Sequence, residues 1–444
     1  MRIVVLGAAE SGVGAAILAQ QKGFEVFVSD MGLIKERYKA QLDSHGLEWE
    51  EQRHTEALIL SADEVIKSPG IPDTAPMIVK LKERGIPIIS EIEFASRYTD
   101  ARMVCITGSN GKTTTTSWIY HTLKNAGFNV GLAGNIGHSL ALQVAEGGRD
   151  CYVIELSSFQ LDNMYEFRAH VAVLLNITPD HLDRYDFCMQ HYVDSKMRIL
   201  RNQTAADSFI YWNGDDYINH ERSRYDVPSC NYVFSDALAE GAAAYIEGSE
   251  LKIERPVSFS MPLSEISLVG KHNLRNAMAT ALACLATGAD EAAVRQGLSS
   301  FPGVEHRLEP VRTVGGVTYI NDSKATNVDA CYCALDSMTT PVVLIVGGRD
   351  KGNDYTQLQT IVTNKCRALV YLGADNSKLH ESFDALGLPV ADTHSMADCV
   401  AACVRLAQAG DTVLLSPCCA SFDLFKNMED RGEQFKALVR ALPE

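Results

Sequence analysis

The chain alternates short apolar runs with longer segments in which apolar residues recur every three or four positions. The runs are rich in β-branched residues and predict buried strands, whereas the longer segments predict helices. This alternation is typical of α/β architecture with mostly parallel sheets. The predicted strands lie in RIVVLGA, EVFVSD and EVIKSPGIP, then in RMVCITG, DCYVIELSS and HVAVLLNITPDH, and finally in VTYINDS, PVVLIVGG, ALVYLGA and DTVLLSP.

Three sets of strands suggest three domains, and a chain of 444 residues is long enough for about that number. The second set ends in the helical pattern NLRNAMATALACLAT, after which GLSSFPGVEHRLE breaks the pattern with Gly, Ser and Pro. We therefore predict a Rossmann-like N-terminal domain over residues 1–99 and a central domain over residues 100–303. The central domain is expected to be P-loop ATPase-like with a mostly parallel sheet. A C-terminal Rossmann-like α/β domain covers residues 304–444.

Composition excludes several classes of protein. No run of ~18 apolar residues exists, so we expect no membrane span. The apolar start MRIVVLGAAESGVGAAILAQ is interrupted by Glu10, and its glycines suit a strand–turn–helix better than a signal peptide, which favours a cytoplasmic location. The formal charge of −16 argues against nucleic-acid partners. The charge does not exclude an anionic small-molecule partner, because a few local lysines and arginines can hold one. The 12 cysteines lack zinc-ligand spacing, so we expect reduced thiols.

The stretch CITGSNGKTTTT, residues 105–116, predicts a phosphate-binding loop. The widespread P-loop has a glycine where this chain has Ile106, so the pattern here is G-x-x-G-K-T beginning at Gly108. A glycine-rich turn between a strand and a helix directs backbone N–H groups and the helix dipole at one point. Lys112 adds a positive charge and Thr113 a hydroxyl suited to Mg²⁺. We predict that the loop binds nucleotide phosphates.

A phosphate-bound Mg²⁺ usually needs a carboxylate at the end of a neighbouring strand. Glu155 ends the apolar run CYVIE, and Asp180, His181 and Asp183 follow the next predicted strand. Ligands of α/β proteins gather at such carboxyl ends of strands, although a solvated strand end is the simpler alternative. Lys196 lies further on, in HYVDSKMRIL, and its surroundings in the sequence do not distinguish it from a surface lysine.

Three strands of the last domain each lead into a polar loop. One such loop is ordinary, whereas three at one sheet edge predict a locally cationic site; three separate solvated loops are the alternative. The side chains concerned are Asp322, Ser323, Lys324 and Thr326, then Arg349, Asp350 and Lys351, and last Ser421, Asp423 and Lys426.

The N-terminal turn GAAESGVG is similar to a dinucleotide fingerprint, with Asp30 ending the next predicted strand. Ala9 stands where the second glycine of G-x-G-x-x-G would let the backbone approach a pyrophosphate. The Rossmann-like topology is therefore favoured and NAD binding is not. A different diphosphate could use the same helix N-terminus.

Taken together in this order, the motifs resemble those of the Mur ligase family over nearly the whole chain. They are the nucleotide loop, ELSSFQL, NITPDHLDRY, GKHNLRNAMAT, HRLE and NDSKATN. The last of these, with LLSPCCASFDLFKNMEDRG, is similar to the members that add D-glutamate to UDP-N-acetylmuramoyl-L-alanine. The resemblance implies an ATP-dependent amide ligase that forms an acyl phosphate during peptidoglycan precursor synthesis. It also implies ATP and two Mg²⁺ ions as cofactors.

The resemblance assigns roles to the central domain. Lys112, Glu155, His181 and Lys196 would be catalytic, and Lys196 would be carbamylated. Magnesium would be held by Thr113, Glu155, His181 and the carbamate of Lys196. The residues implied in ATP binding are Gly108, Ser109, Asn110, Gly111, Lys112, Thr113, Thr114, Asn273, Asn276, Arg307 and Asp322.

The resemblance also implies two further subsites. The UDP substrate would contact Ser11, Gly12, Asp30, Gly70 and Asn135, and D-glutamate would contact Lys324, Thr326, Lys351, Ser421 and Phe422. One departure puts the uridine contacts in question, because Met31 and Gly32 stand where the family pattern has a Thr-Arg pair.

Three other functions remain open at this point. One is a ligase of the same fold that adds another amino acid or extends a glutamate chain on folate, although folate-type relatives lack the UDP-binding portion. The others are a nucleotide sensor without turnover and an NAD-dependent oxidoreductase. We expect a monomer that binds the two small-molecule substrates UDP-N-acetylmuramoyl-L-alanine and D-glutamate.

Overall fold

The computed structural model describes residues 1–225, 227–350 and 352–443. Within these ranges the strands form three sheets, of five, nine and six strands. The chain divides into two compact units. The first comprises Met1–Ser267 and Arg275–Phe301, and the second comprises Leu268–Leu274 and Pro302–Glu444. The first two sheets both belong to the first unit.

The first sheet is parallel and covered by short helices. Its strands are β1 (Arg2–Leu6), β2 (Glu25–Asp30), β3 (Glu48–Glu51), β4 (Glu64–Lys67) and β5 (Ile88–Ile89), and its helices are α1 (Glu10–Gln21), α2 (Glu36–Ser44), α3 (Glu56–Ile59), α4 (Pro76–Glu83) and α5 (Glu91–Ser96). The order is β3-β2-β1-β4-β5. Because the order reverses beside β1, a crevice opens at its carboxyl end, where open α/β sheets bind ligands.

The second sheet is the largest. Its strands are β6 (Arg102–Thr107), β7 (Val130–Gly134), β8 (Cys151–Glu155), β9 (Val171–Leu174), β10 (Ser208–Trp212), β11 (Cys230–Ser235), β12 (Ala244–Glu247), β13 (Glu250–Ile253) and β14 (Phe259–Pro262). The helices are α6 (Lys112–Asn125), α7 (Leu140–Ala145), α8 (Ser158–Leu161), α9 (Met189–Met197), α10 (Asp216–Arg222), α11 (Lys271–Thr287) and α12 (Glu291–Ser300), with 3₁₀ turns at Leu182–Arg184, Arg198–Leu200 and Leu263–Glu265. The order is β14-β13-β12-β11-β10-β9-β6-β8-β7, and within the described residues β13 alone runs antiparallel to its neighbours β12 and β14. The carboxyl ends of β6, β8 and β9 therefore meet at one edge.

The third sheet lies in the second unit. Its strands are β15 (Glu309–Val314), β16 (Val317–Asn321), β17 (Val342–Gly347), β18 (Cys366–Leu372), β19 (Val390–Thr393) and β20 (Thr412–Cys418). Its helices are α13 (Val328–Asp336), α14 (Thr356–Lys365), α15 (Ser377–Phe383), α16 (Met396–Leu406) and α17 (Met428–Arg440), with a 3₁₀ turn at Asp384–Leu386. The order is β15-β16-β20-β17-β18-β19, and β15 is antiparallel to β16. The three polar loops follow β16, β20 and β17, which are adjacent and parallel, so they share one sheet edge as predicted.

Two buried glutamates of α5 join the first sheet to the second. Glu91 accepts hydrogen bonds from the Ser139 hydroxyl (2.7 Å) and the Ala141 amide (2.6 Å). Glu93 is fully buried and accepts three backbone N–H groups, those of residues 165–167, at 3.0 Å each. Buried carboxylates need such partners, and these come entirely from the other sheet's domain.

The predicted α/β fold with three Rossmann- or P-loop-like sheets is confirmed. The predicted strands that carry site residues are all present, and α6 begins at Lys112. The domain limits 1–99, 100–303 and 304–444 stay predictions. None of the 12 cysteines forms a disulfide within the described residues. Among the described residues, we find no helix with the length and apolar character that crossing a bilayer requires.

Candidate active site

The loop between β6 and α6 has a shape that only its two glycines allow. Gly108 has φ +150° and Gly111 has φ +85°. A Cβ atom on Gly111 would lie 2.6 Å from Oδ1 of Asn276. Asn176 fixes the loop from β9, since its carbonyl accepts the Ser109 amide (2.9 Å) and its Oδ1 accepts the Asn110 amide (2.8 Å). The predicted phosphate loop is thus already formed, and Asn276, one of the predicted ATP residues, lies against it.

Two lysines converge on this loop. Nζ of Lys112 donates to the carbonyl oxygens of Gly108 (2.8 Å) and Ser109 (2.9 Å). Nζ of Lys196, which reaches the loop from α9, also donates to the Gly108 carbonyl (2.8 Å) and lies 4.5 Å from the centre of the Tyr192 ring. Lys196 is therefore a site residue by position, which its sequence surroundings did not indicate.

Lys196 is only 1% exposed. Burial lowers the pKa of its ammonium well below the usual range, and the nearby positive charge of Lys112 lowers it further. A buried lysine of this kind holds a larger fraction of neutral amine at neutral pH than a surface lysine does. The neutral amine is the nucleophilic form.

Glu155 ends β8 next to the loop and is 1% exposed. Its Oε1 accepts the side-chain amide of Asn135 (2.8 Å). Its Oε2 is buried and has no hydrogen-bond partner in the described part of the chain. A buried carboxylate oxygen left in this state is costly, and a cation would satisfy it. Glu155 thus fits the role of a Mg²⁺ ligand.

A cavity of about 330 Å³ gathers residues from both sheets of the first unit. His181 follows β9 in a left-handed conformation, at φ 53°, and its ring packs edge-on against Phe159 at 5.2 Å. Predicted residues that line the cavity are Gly70, Lys112, Asn135, His181 and Lys196. The structure therefore brings together side chains that the sequence analysis had placed in separate motifs.

The remaining residues predicted for the UDP substrate lie at the edge of the first sheet. Asp30 accepts the Ala8 amide (2.7 Å) through Oδ2 and the Gly32 amide (2.7 Å) through Oδ1, so it anchors the turn that leads into α1. Ser11 and Gly12 lie in the first turn of α1, where backbone N–H groups have no partner within the helix. Met31 is 60% exposed beside them.

The second unit contains the other group of predicted residues. Asp322 follows β16, is 1% exposed, and accepts the Ser416 hydroxyl (2.9 Å) and the Leu308 amide (3.2 Å). Burial raises the pKa of its carboxyl to about 6, and the Arg307 guanidinium opposes the rise. Nε of Arg307 is buried without a hydrogen-bond partner among the described residues, as expected for a group that meets an anionic ligand.

The loops predicted to receive D-glutamate are tied together by Arg431. This 1% exposed side chain donates to the hydroxyl and carbonyl of Ser323 (3.0 and 2.9 Å) and to the Cys419 carbonyl (3.1 Å). It thereby joins the loop of Lys324 and Thr326 to the loop of Ser421 and Phe422. The Ser421 side chain is buried, whereas Phe422 is 66% exposed. Lys351 lies outside the described residues.

Asn273, predicted to contact ATP, lies one turn before Asn276 in α11 and belongs to the second unit. Its side-chain amide donates to the Val269 carbonyl (2.9 Å). Thr113 and Thr114 begin α6 and are buried. These positions agree with the predicted roles without testing them.

Family models and known relatives match this chain along nearly its whole length. Residues 2–77 match the MurD N-terminal domain, residues 106–284 the Mur ligase middle domain, and residues 306–419 the Mur ligase, glutamate ligase domain. The UDP-N-acetylmuramoylalanine–D-glutamate ligase of Bacteroides fragilis is 62% identical over 442 residues, which cover 99% of this chain and 100% of that protein. The protein of that name from Porphyromonas gingivalis is 56% identical, with 98% of each chain covered.

The chain belongs to the Mur ligase family. The resemblance drawn from the sequence motifs is thereby confirmed. Members are ATP-dependent ligases, and ATP and Mg²⁺ are the cofactors of the family.

Solved structures of Mur ligases share the fold at low identity. The UDP-N-acetylmuramate–alanine ligase of Thermotoga maritima superposes with a TM-score of 0.63 at 19% identity, covering 99% of both chains. An Acinetobacter baumannii ligase for D-alanyl-D-alanine has a TM-score of 0.61 at 18% identity, covering 99% of this chain and 93% of that one.

Sequence reasoning missed several side chains of this Mur ligase site. Tyr192 donates to or accepts from the Ser109 hydroxyl (3.0 Å), but a tyrosine in a helix carries no sign of that contact. Arg431 lies 108 residues from Ser323 along the chain. Phe159 and Arg184 stand inside the recognised motifs ELSSFQL and NITPDHLDRY, which could have identified them.

Proposed function

We propose that this Mur ligase joins D-glutamate to UDP-N-acetylmuramoyl-L-alanine, with ATP as the source of energy, in the cytoplasm and as a monomer. The observation that carries the proposal is the single cavity that collects Lys112, Lys196, His181 and Asn135 beside a carboxylate with a free buried oxygen. The 62% identity to the B. fragilis D-glutamate ligase supports the choice of substrates.

Chemistry of this kind needs an activated carboxylate, because an unactivated one has no leaving group that an amine can displace. The γ-phosphoryl group of ATP moves to the carboxylate of the L-alanyl residue, which makes an acyl phosphate. The D-glutamate amine attacks the acyl carbon, a tetrahedral intermediate forms, and phosphate leaves as the amide is made. The protein positions the reactants and neutralises charge on the transferring phosphoryl oxygens.

We infer that Lys112 is the main source of that neutralisation. Its ammonium now binds two loop carbonyls, and a triphosphate in the loop offers it stronger, charged acceptors. The loop amides and the N-terminus of α6 add further partial positive charge. His181 lines the same cavity, and as an alternative to binding Mg²⁺ it could orient the incoming amine.

Magnesium, when bound, would neutralise phosphate oxygens and polarise them. Glu155, Thr113, His181 and a carbamate on Lys196 are the residues we propose to hold two ions. The donor set fits, since carboxylate and hydroxyl oxygens suit Mg²⁺ and Oε2 of Glu155 is otherwise unsatisfied.

We propose that Lys196 is carbamylated, and its buried environment supports this. Neutral Nζ attacks the carbon of CO₂, a C–N bond forms, and one N–H proton leaves, so the product is an anion. The change replaces repulsion between Lys196 and Lys112 by attraction. The carbamate also supplies an oxygen ligand for Mg²⁺ at a position where the unmodified Lys196 side chain offers only a nitrogen atom.

In the second unit we propose that Lys324, Thr326, Lys351, Ser421 and Phe422 receive D-glutamate, and that Arg307 and Asp322 contact the nucleotide. The cationic loops suit a substrate with two carboxylates. The support is the shared sheet edge of the three loops and their connection through Arg431.

The test is phosphate release from ATP with UDP-N-acetylmuramoyl-L-alanine and single amino acids. D-Glutamate, L-glutamate, L-alanine, D-alanine and meso-diaminopimelate would form the panel. Release with D-glutamate alone is the expected result. Release with another amino acid would keep the mechanism and overturn the substrate assignment, and ATP binding without release would favour the sensor.

A further inference from the structure

A second and larger cavity, of about 840 Å³, lies in the first unit between the segment after β4 and helix α9. It shares Phe159 and Arg184 with the smaller cavity, but its walls include none of Ser11, Gly12 or Asp30. Cavities of roughly 300–1,000 Å³ are the size that binds small organic molecules. This volume is therefore not accounted for by the substrate roles proposed above.

Three arginines on the wall lack an acidic partner within the described ranges. The Arg184 guanidinium lies 4.3 Å from the centre of the Phe159 ring and makes no hydrogen bond to the described residues. Arg198 donates only to backbone carbonyls, those of Leu161 and Met164, at 2.7 Å each. Arg201 has one long contact of 3.4 Å, also to the Met164 carbonyl. Several of their donor groups therefore remain available.

The acidic side chains of the wall are already engaged with other groups. Their contacts are Asp73 with Lys67 and Lys82 (2.7 Å each), Asp162 with the Tyr185 hydroxyl (2.9 Å), and Asp194 with the Gln190 amide (2.8 Å). None of them forms an ion pair with Arg184, Arg198 or Arg201. Asp162 attracts Arg198 without an ion pair, so the positive charge of the three arginines is only partly offset inside the cavity.

The arginines also oppose one another. Burial lowers the pKa of Arg198, the positive charge of Arg201 lowers it further, and the negative charge of Asp162 opposes the shift. The chain as a whole has a formal charge of −16, so a cationic cluster is contrary to its average. Partly buried like charges are unfavourable unless an anion joins them.

We propose that this cavity binds a small organic anion through Arg184, Arg198 and Arg201, which recognise a phosphate or carboxylate group. Planar guanidinium groups suit both oxyanions, since each can donate two parallel hydrogen bonds. Tyr225, Val227 and Leu200 form an apolar part of the wall that would contact the carbon skeleton. Helix α9 lines the cavity with Asp194 and Ser195 and carries Lys196 in the same turn, so occupancy would stiffen the helix that presents that lysine.

The proposal does not rest on the proposed ligase reaction, although Arg184 lines both cavities, and its test is a binding measurement. Pyrophosphate and citrate would each be titrated calorimetrically into protein saturated with a non-hydrolysable ATP analogue and UDP-N-acetylmuramoyl-L-alanine, in buffer without Mg²⁺ because both probes chelate that ion. These additions fill the other anion sites of the first unit. We expect one further site per chain for at least one probe.

Arg201→Gln supplies the decisive comparison, because Arg201 is exposed and its removal disturbs only one long contact. Binding should weaken at least fivefold, as expected when one charged hydrogen-bond donor is lost. The matched control is Arg405→Gln, which replaces an exposed arginine of α16 in the second unit and should bind as the wild type does. Binding of pyrophosphate alone identifies a phosphate site, and binding of citrate alone a carboxylate site. No further site, or equal affinity in Arg201→Gln, overturns the proposal.

Discussion

Lys112 and Lys196 donate hydrogen bonds to one acceptor, the carbonyl oxygen of Gly108, across 2.8 Å each. Two amines therefore share the turn that we propose to receive the nucleotide phosphates. A single carbonyl dipole offsets little of the repulsion between two ammonium groups, and burial of Lys196 increases that repulsion. The arrangement favours loss of one positive charge, and the first two predictions follow from it.

Replacing Lys112 or Glu155 by alanine should lower turnover by at least ~100-fold, the scale for one charge contact in a transition state. Lys112→Ala removes the cation at the phosphate loop, and Glu155→Ala removes the carboxylate with the unsatisfied oxygen. Steady-state phosphate release measures both. Lys124→Ala, on the exposed face of the same helix α6, should retain activity. Near-normal turnover of either active-site variant would refute its assignment.

Lys196→Ala should lose activity that short-chain carboxylic acids partly restore, because a carboxylate can occupy the space of the carbamate. Nuclear magnetic resonance with ¹³C-labelled CO₂ gives an independent readout. We expect a carbamate signal in the wild type that is absent from Lys196→Ala. A missing signal in the wild type, together with failure of rescue, would rule out the carbamate. Thermal unfolding establishes that the variant is folded.

Arg431→Lys should raise the KM for D-glutamate by roughly tenfold, the effect of losing about one charged hydrogen bond. Lysine cannot reach Ser323 and the Cys419 carbonyl at once, so the two substrate loops would lose their common support. The KM for ATP should change much less. An equal rise in both constants would indicate general loosening of the second unit instead.

Glu91 gives a prediction about stability and pH. Burial raises the pKa of its carboxyl from 4.5 to about 7. The folded state therefore holds the proton more tightly than the unfolded state, so the favourable contribution is complete below about pH 4.5 and is lost as the pH rises through 7. The difference is on the order of 3 kcal/mol. We expect Glu91→Gln to reduce the loss of stability between pH 5 and pH 8.

Denaturant unfolding at these two pH values measures the effect. Glutamine still accepts the Ser139 hydroxyl and the Ala141 amide, so the contact between the sheets is kept. Glu83→Gln, at the end of α4 on the surface, is the control and should leave the pH dependence unchanged. An equal pH dependence in wild type and Glu91→Gln would contradict the role of Glu91.

The sequence predicted the buried parallel strands well, because a strand covered on both faces is a continuous apolar run. It did not predict β3, whose sequence EWEE lies at a sheet edge, or β5, which has two residues. The edge strands β7, β14, β15 and β19 were also missed, and so were β10 to β13, which lie inside the second sheet and for which edge position is not the reason. Edge strands and short strands are half-solvated, so their pattern differs little from that of a loop.

The residues of the candidate site also divide into those that the sequence predicted and those that it did not. Glycines and charged residues that sit directly after a strand could be found, because local backbone geometry demands them. Lys196 was recognisable only by resemblance, since its importance comes from a contact with Gly108, 88 residues away. Tyr192 and Arg431 act through equally distant partners, and hydrophobic periodicity contains no information about such pairs.

Glu93 accepts hydrogen bonds from three backbone amides, and these bonds have a consequence for the exchange of domains between Mur ligases. A first domain transplanted from a relative brings its own α5, and every backbone N–H of residues 165–167 must then find an acceptor there. If that helix lacks a carboxylate at the position of Glu93, recombination at the linker alone would leave these donors without their acceptor. We therefore expect the pair of sheets, with the interface between them, to be inherited as one module.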